Sequence, residues 1–459
     1  MEEIKRTRED IRESLSEMRK RNLLLSERLE KSAAIDDYRD YAVENENGIL
    51  IWTAAFQKAV DENETVIITS GTYYVDKTVV IPSNRKIIAH GAHIKKTPEM
   101  NTLLLRNEHL SDGSYRKIDG SSADENISVI GGIWEDTDTV WRFRHGLYDK
   151  ENSMPGISAC MCFTNIRNLT VSDLKIIRAG GFGIQIGNTA DAVIENITFE
   201  NTVADGVHIN GNTKNVIVRN ILGSVGDDLV AFNAYDWSAS SVCFGPIENL
   251  LCENVTLLPE GRYKAIRILP GKYFYSDGSI SDCYIKDVII KGVRGVNTFK
   301  FYFQTPPFKI GENAEGGESG WGDNLFIEDV ELDLYKPIDA FDEYLSADET
   351  LGTFAAFEFG SQFGRVELSD IKLSLYKDKF PSSYLASIGP KSIRRDGKEI
   401  FDPYINSFVD ELILDGVTVN GEKVSSENSG KYIKEISFVN LYGERDETYN
   451  GVFEKIEYK

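Results

Sequence analysis

Two short stretches of this 459-residue chain concentrate acids at spacings that suit chemistry. Ala204-Asp205-Gly206-Val207-His208-Ile209 sets Asp205 three residues before His208, and Gly226-Asp227-Asp228-Leu229-Val230-Ala231-Phe232 carries an adjacent aspartate pair. Carboxylates held close together repel, so one is driven to keep its proton while another stays ionised. Hydrolysis of a glycosidic bond uses such a pair: an acid protonates the leaving oxygen, and a carboxylate activates water or attacks carbon. An isolated Gly-Asp-Asp is ordinarily turn chemistry. The pair therefore gains meaning only if Asp205 is carried to the same spot.

The surrounding sequence predicts that it is. A run of the form Asn/Asp-apolar-x-apolar-x-Asn/Asp-apolar recurs as Asn168-Leu-Thr-Val-Ser-Asp-Leu, Asp191-Ala-Val-Ile-Glu-Asn-Ile, Asn215-Val-Ile-Val-Arg-Asn-Ile and Asn249-Leu-Leu-Cys-Glu-Asn-Val, at steps of 23, 24 and 34 residues. Looser copies begin at Cys283, Asn324, Val366 and Leu412, and Asn126-Ile-Ser-Val-Ile-Gly-Gly precedes them. A strand-like repeat this short cannot bury a core alone and must stack on its own copies, which predicts an all-β parallel solenoid; a propeller blade needs about 40–45 residues. Asparagine at fixed turn positions suits left-handed corners, and stacking lets the amides hydrogen-bond along the axis.

A second strand in each coil sets the register. With Ile184/Ile186, Val207/Ile209, Val230/Phe232, Ile266/Ile268, Phe299/Phe301 and Phe357/Phe359 turned inward, the residues between them face outward as a column: Gln185, His208, Ala231, Arg267, Lys300, Glu358. One corner earlier the column reads Phe182, Asp205, Asp228, Lys264, Asn297, Ala355, with Asp227 beside Asp228. Coils stack about 4.7–4.9 Å apart, so Asp205, Asp227 and Asp228 are expected in one exposed patch bordered by His208, Lys264 and Arg267. Tyr302, Trp237 and Trp134 are candidate platforms for sugar rings, against the alternative that solenoid aromatics fill the core.

The rest of the chain bounds the setting. With 41% hydrophobic and 27% charged residues it is a folded chain with a large core. Its 51 basic and 73 acidic residues give −22, which disfavours nucleic acid and anionic membranes as partners. The opening Met1-Glu2-Glu3-Ile4-Lys5 has no apolar h-region, and no apolar run of about 18 residues occurs, so a cytoplasmic location without membrane insertion is expected. Cys160, Cys162, Cys243, Cys252 and Cys283 are odd in number and read as buried small apolar groups rather than disulfides or metal ligands; no metal or other cofactor is expected. Residues 1–36 read as an amphipathic helix with Ile4, Ile11, Leu15, Met18, Leu25 and Leu29 on one stripe. That stripe packs on its own domain or forms a homo-oligomer seam, with Arg8 and Asn22 interrupting the heptad. Residues 37–459 then form a single β-helix domain with loop inserts, of which 136–156 and 304–323 are expected to wall a groove.

The two acid motifs resemble the Asn-Thr-Asp-Gly-Ile and Gly-Asp-Asp-x-Ile-Ala-Ile motifs of glycoside hydrolase family 28, the polygalacturonases, and Ala265-Ile266-Arg267-Ile268 is similar to that family's Arg-Ile-Lys strand. Ala55-Phe56-Gln57-Lys58-Ala59-Val60 resembles the helix that enters pectin-degrading β-helices, and the likeness covers roughly residues 50–310. The resemblance implies a right-handed parallel β-helix of the pectin-lyase-like kind, with Asp227 as general acid, Asp205 and Asp228 holding and deprotonating water, inversion at the anomeric carbon, and Arg267 on the substrate. The family's Gly-His-Gly coil has no match between Asp228 and Arg267, and Leu269 stands at the family's lysine position. The expected protein is a glycoside hydrolase acting on a poly- or oligosaccharide, with Asp205, Asp227 and Asp228 catalytic and His208, Arg267, Lys264, Lys300, Gln185 and Tyr302 binding substrate. Two alternatives stand beside it: a calcium-dependent polysaccharide lyase using Arg267 or Lys264 as base, and a non-catalytic carbohydrate-binding fibre assembled through the N-terminal helix.

Overall fold

The computed structural model describes residues 5–28, 30–100, 102–110, 124–136, 159–236, 241–261, 265–275, 278–301, 317–335, 350–351, 354–389, 392–395, 398–401, 407–439 and 448–459. The repeat's two Asn/Asp positions become two rows of corners. In the first row Asn84, Asn126, Asn168, Asp191, Asn215 and Asn249 hold φ of 57 to 61°. In the second, Asp173, Asn196, Asn220 and Asn254 hold φ of 54 to 59°. Left-handed backbone is costly for most L-residues and tolerated by Asn and Asp, whose short polar side chains bond locally. Here the bonds run along the axis: Asn126 Nδ2 donates to Asn84 Oδ1 at 2.7 Å, Asn168 to Asn126 at 2.8 Å, and Asn249 to Asn215 at 2.7 Å. The expected amide ladder is present.

The corners divide the central coils into three strands, which pair in parallel with their counterparts one coil away. The first ladder runs Ile184↔Val207, Val207↔Val230, Val230↔Ile266, Ile266↔Phe299 and Phe299↔Phe357, the register expected from the sequence. The second carries Val171↔Ile194↔Val218↔Cys252↔Ile290, and the third Trp134↔Ile176↔Phe199. The fold is a parallel β-helix. Its apolar core fills the space between the ladders, and stacked rings mark it: Phe299 on Phe357 with centroids 5.1 Å apart and Phe301 on Phe359 at 4.4 Å. Trp134 belongs to this core, fully buried with Nε1 donating to Gly131 O at 3.0 Å, and is no sugar platform. All five cysteines are buried thiols outside any disulfide. No helix among the described residues is long and apolar enough to cross a membrane.

Two helices complete the solenoid. α2 (Thr53–Glu62) turns Ala55, Phe56, Ala59 and Val60 onto the first coils. α1 (Arg8–Glu27) starts at a capping box between Thr7 and Asp10. It is shorter than the helix expected over residues 1–36, because Ser32–Ala34 already pairs with Thr65–Ile67 as strand. Its stripe of Ile11, Leu15 and Met18 is buried against Val193, Ile217, Leu251, Ile289 and Phe326, one outward residue from each of five coils of the second ladder. The apolar face that could have met another protomer is therefore taken up by its own chain. Asn22 and Arg8, out of place in a heptad, have roles here: Asn22 Nδ2 donates to Asp191 O at 2.6 Å, and Arg8 pairs with Glu328 and Glu367. Ile4 and Leu29 lie outside the described residues.

If the corners depend on left-handed backbone, Asn215→Ala should cost about 2 kcal/mol, combining the αL penalty with lost hydrogen bonds. Asn215→Gly should cost roughly half as much, since glycine restores the backbone but not the bonds. Urea midpoints of the two variants check this; equal losses contradict it.

Candidate active site

The acid corners sit where the chain leaves the third ladder and enters the first. Glycine is required at both. A Cβ at Gly226 would meet Val203 O at 2.0 Å, and one at Gly206 would meet Leu229 O at 2.6 Å, so only glycine lets successive corners approach this closely. Gly206 N donates to Asp228 O at 3.1 Å and Asp228 N to Asp205 Oδ1 at 3.0 Å, which stacks Asp205 and Asp228 one coil apart. Carboxylate oxygens of Asp205, Asp227 and Asp228 lie within 4.8 Å of one another. The clustering expected from the register is present.

The face is not open as expected. Asp205, Asp228, His208, Arg267, Lys300 and Gln185 are all buried, and Asp227, with 16% of its side chain accessible, is the acid that solvent reaches. The outward column closes because its long side chains pair with one another and with the corners. Arg267 Nε binds Asp228 Oδ2, and its Nη2 lies 3.4 Å from Asp227 Oδ1. His208 Nδ1 is 2.6 Å from Asp205 Oδ2 and Nε2 is 2.9 Å from Asp236 Oδ2, while Phe182 stacks on the imidazole at 3.9 Å. Gln185 Nε2 donates to Asn210 Oδ1 at 2.9 Å. His208 and Gln185, expected to bind substrate, are thus interior groups that orient their neighbours. Lys300 stacks in register on Arg267. Lys264, Tyr302 and Trp237 lie outside the described residues, as does most of the inserts 136–156 and 304–323.

Sequence reasoning missed Asp236. It lies three residues beyond the strand Val230–Asn233, and its reach back to His208 follows from no strand alternation. Asn210 and Asn233 were legible as the next outward positions after His208 and Ala231; Asn233 Nδ2 donates to Asp236 Oδ2 at 3.2 Å.

Burial and like charge separate the protonation of these groups. Burial, and after it the Asp228 carboxylate, hold Asp227 well above the usual carboxylate range, against the pull of Arg267. Burial also raises Asp205, opposed by its hydrogen bond from His208. For His208, burial works against the charge, but hydrogen bonds to Asp205 and Asp236 outweigh it and lift the imidazole to about 9. Arg267 follows the same pattern, with Asp228 and Asp227 overriding burial. Lys300 goes the other way, lowered by burial and by Arg267. The corner therefore sets a partly accessible carboxyl, biased toward its protonated form, beside Asp228, which is paired to the guanidinium of Arg267. Asp228 Oδ1 is buried and accepts no hydrogen bond among the described residues.

A family model described as "Right handed beta helix region" matches residues 77–243, a span that includes both acid corners. No match is found among curated proteins. Similar solved structures include endo-xylogalacturonan hydrolase from Aspergillus tubingensis, at 11% identity and a TM-score of 0.49, covering 85% of this chain and 94% of that one. A hyperthermoactive exopolygalacturonase from Thermotoga maritima is 12% identical with a TM-score of 0.48, covering 96% of each chain. The tailspike protein of E. coli bacteriophage HK620, solved with a pentasaccharide, is 12% identical with a TM-score of 0.47, over 85% of this chain and 67% of that one. The chain is a right-handed parallel β-helix.

The raised imidazole has a consequence for stability. A group lifted from 6.5 to about 9 on folding contributes stability that is fully present below about pH 6.5 and is lost as pH rises through 9. Asp227, also raised, acts in the same direction. Urea midpoints should therefore fall between pH 6.5 and 9; a rise across that window contradicts the buried Asp236–His208–Asp205 arrangement.

Proposed function

We propose that the protein is a polygalacturonase-like glycoside hydrolase that cleaves a poly- or oligosaccharide by acid and base catalysis at the stacked corners. The observation that carries this reading is the split within one cluster: Asp227 is partly accessible and its carboxyl is held well above the usual carboxylate range, while Asp228 is ion-paired to Arg267. Asp227 donates to the leaving glycosidic oxygen. Asp228, with Asp205 behind it, orients and deprotonates the attacking water. Direct attack by a carboxylate fits poorly, because Asp205 and Asp228 are buried and both Asp205 oxygens already accept hydrogen bonds. Water is small enough to reach them, and attack by water from the face opposite the leaving group inverts the anomeric carbon. Arg267 fixes Asp228 and balances the charge of the cluster.

The calcium-dependent lyase is the weaker account. A divalent ion at the three carboxylates would compete with the guanidinium of Arg267 and the imidazole of His208, which already hold oxygens of Asp227, Asp228 and Asp205. The fibre reading loses its assembly device, since the stripe of α1 is buried in its own chain.

Asp227→Asn should lower kcat by about 10²–10⁴, the usual contribution of a general acid, and leave the melting temperature unchanged or slightly raised as a repelling charge is removed. Steady-state kinetics and thermal melting on a substrate found in an oligosaccharide panel measure both. Wild-type turnover in this variant sinks the assignment. Proton NMR of the first product should show the anomer opposite to the substrate's, insensitive to chelator; an unsaturated product absorbing in the ultraviolet would instead establish the lyase.

A further inference from the structure

Beyond the acid corners, on the outward side of the third ladder, lies a groove of about 900 Å³, within the range of roughly 300–1,000 Å³ typical of small-ligand sites. Its wall is a column of outward residues in register on successive coils, Glu331, Lys372 and Thr418, extended by Arg294, which reaches Glu331 from the preceding coil. Leu257, Pro259 and Val296 contribute apolar surface, while Ser374 and Asn420 add polar groups.

Tyr335 stands at the rim, 56% exposed. Its position is nonetheless fixed. Lys379 Nζ lies 5.1 Å from the ring centroid, Tyr376 meets the ring edge-on at 5.7 Å, and Tyr335 N donates to Asp333 Oδ1 at 2.9 Å. An exposed aromatic held this way offers a broad flat face at little conformational cost.

The charges choose among ligands. Arg294 is paired with Asp329 at 2.7 Å and with Glu331 at 3.8 Å, and Lys372 with Glu331 at 3.4 Å. With Asp333 beside them the groove carries no excess of positive charge that would attract phosphates or uronate chains. The strands beneath are paired on both sides, which leaves no backbone edge for a peptide to extend. What remains complementary is an uncharged ligand with flat C–H faces and a rim of hydroxyls, able to stack on a ring and bond to paired charges.

We infer that this groove is a second glycan-binding site, distinct from the acid corners, that takes a neutral oligosaccharide with one sugar ring stacked on Tyr335. It would hold a chain on the enzyme independently of cleavage.

Isothermal titration of the full-length protein with cellohexaose, xylohexaose, β-galactohexaose and hexagalacturonate tests this. At least one neutral hexasaccharide should bind in the millimolar range or tighter. Tyr335→Ala should weaken it about tenfold or more, the scale of a lost aromatic contact, with an unchanged melting curve because the side chain is exposed. Tyr335→Phe should bind within about threefold of wild type, and Asp227→Asn should bind as wild type does. The inference is overturned if no neutral hexasaccharide binds, if Tyr335→Ala binds them as well as wild type, or if hexagalacturonate alone binds in a Tyr335-dependent way. Retained turnover in Asp227→Asn would remove the catalytic proposal and leave the groove standing.

Discussion

The structure depends on the stacking of left-handed corners. At each of them an Asn or Asp accepts a backbone conformation that most side chains resist, and its amide or carboxylate bonds to the equivalent residue in the next coil. That pairing fixes where each strand begins, and a strand of period two has no freedom once its start is set. A slip by one residue would turn Val207 and Ile209 outward and His208 into the core. It would also separate Asp205 from Asp228. The apolar core, the charged column and the acid cluster are thus consequences of one register.

Placing several acids in a protein interior is unfavourable unless each meets a donor or a cation. The chain meets that requirement with side chains from the same column. His208 lies between Asp205 and Asp236, and Arg267 spans Asp227 and Asp228. The compensation is uneven, and the unevenness matters. Asp205 and Asp228 are held by close donors, whereas among the described residues Asp227 has a longer contact to Arg267 and is pushed toward its protonated form. Closing the face around these groups strengthens every electrostatic interaction there. It also restricts access to the single acid that reaches solvent.

How far the sequence revealed this varies with the kind of contact. The register of the first ladder was legible to the residue, since alternation and stacking are properties of the backbone. So was the meeting of Asp205 with Asp227 and Asp228, which follows from register alone. The closure of the face was not. An outward position on a strand says nothing about whether Arg267 will lie flat onto Asp228 or extend into water. Asp236 was invisible for a related reason, because a residue past the end of a strand is placed by the path of a corner. The N-terminal helix illustrates a third case: its apolar stripe announced that a partner exists, but only the fold shows that the partner is Val193, Ile217, Leu251, Ile289 and Phe326.

α1 bears on the order of assembly. Stacked repeats ordinarily interact only with nearest neighbours, so they fold and fray coil by coil. This helix runs about 30 Å along the axis, with Arg8 held by Glu367 and Ser26 near Ser128 at the other end. During synthesis it emerges before the coils it docks on, and its docking site is incomplete until the chain has been made past residue 367. Ile11, Leu15 and Met18 find their full set of partners only once Phe326 has been made. Once docked, the helix ties early and late coils into one unit, so that opening any coil between them strains the same brace. The coils between Ser128 and Glu367 are thereby joined by a contact that reaches beyond nearest neighbours.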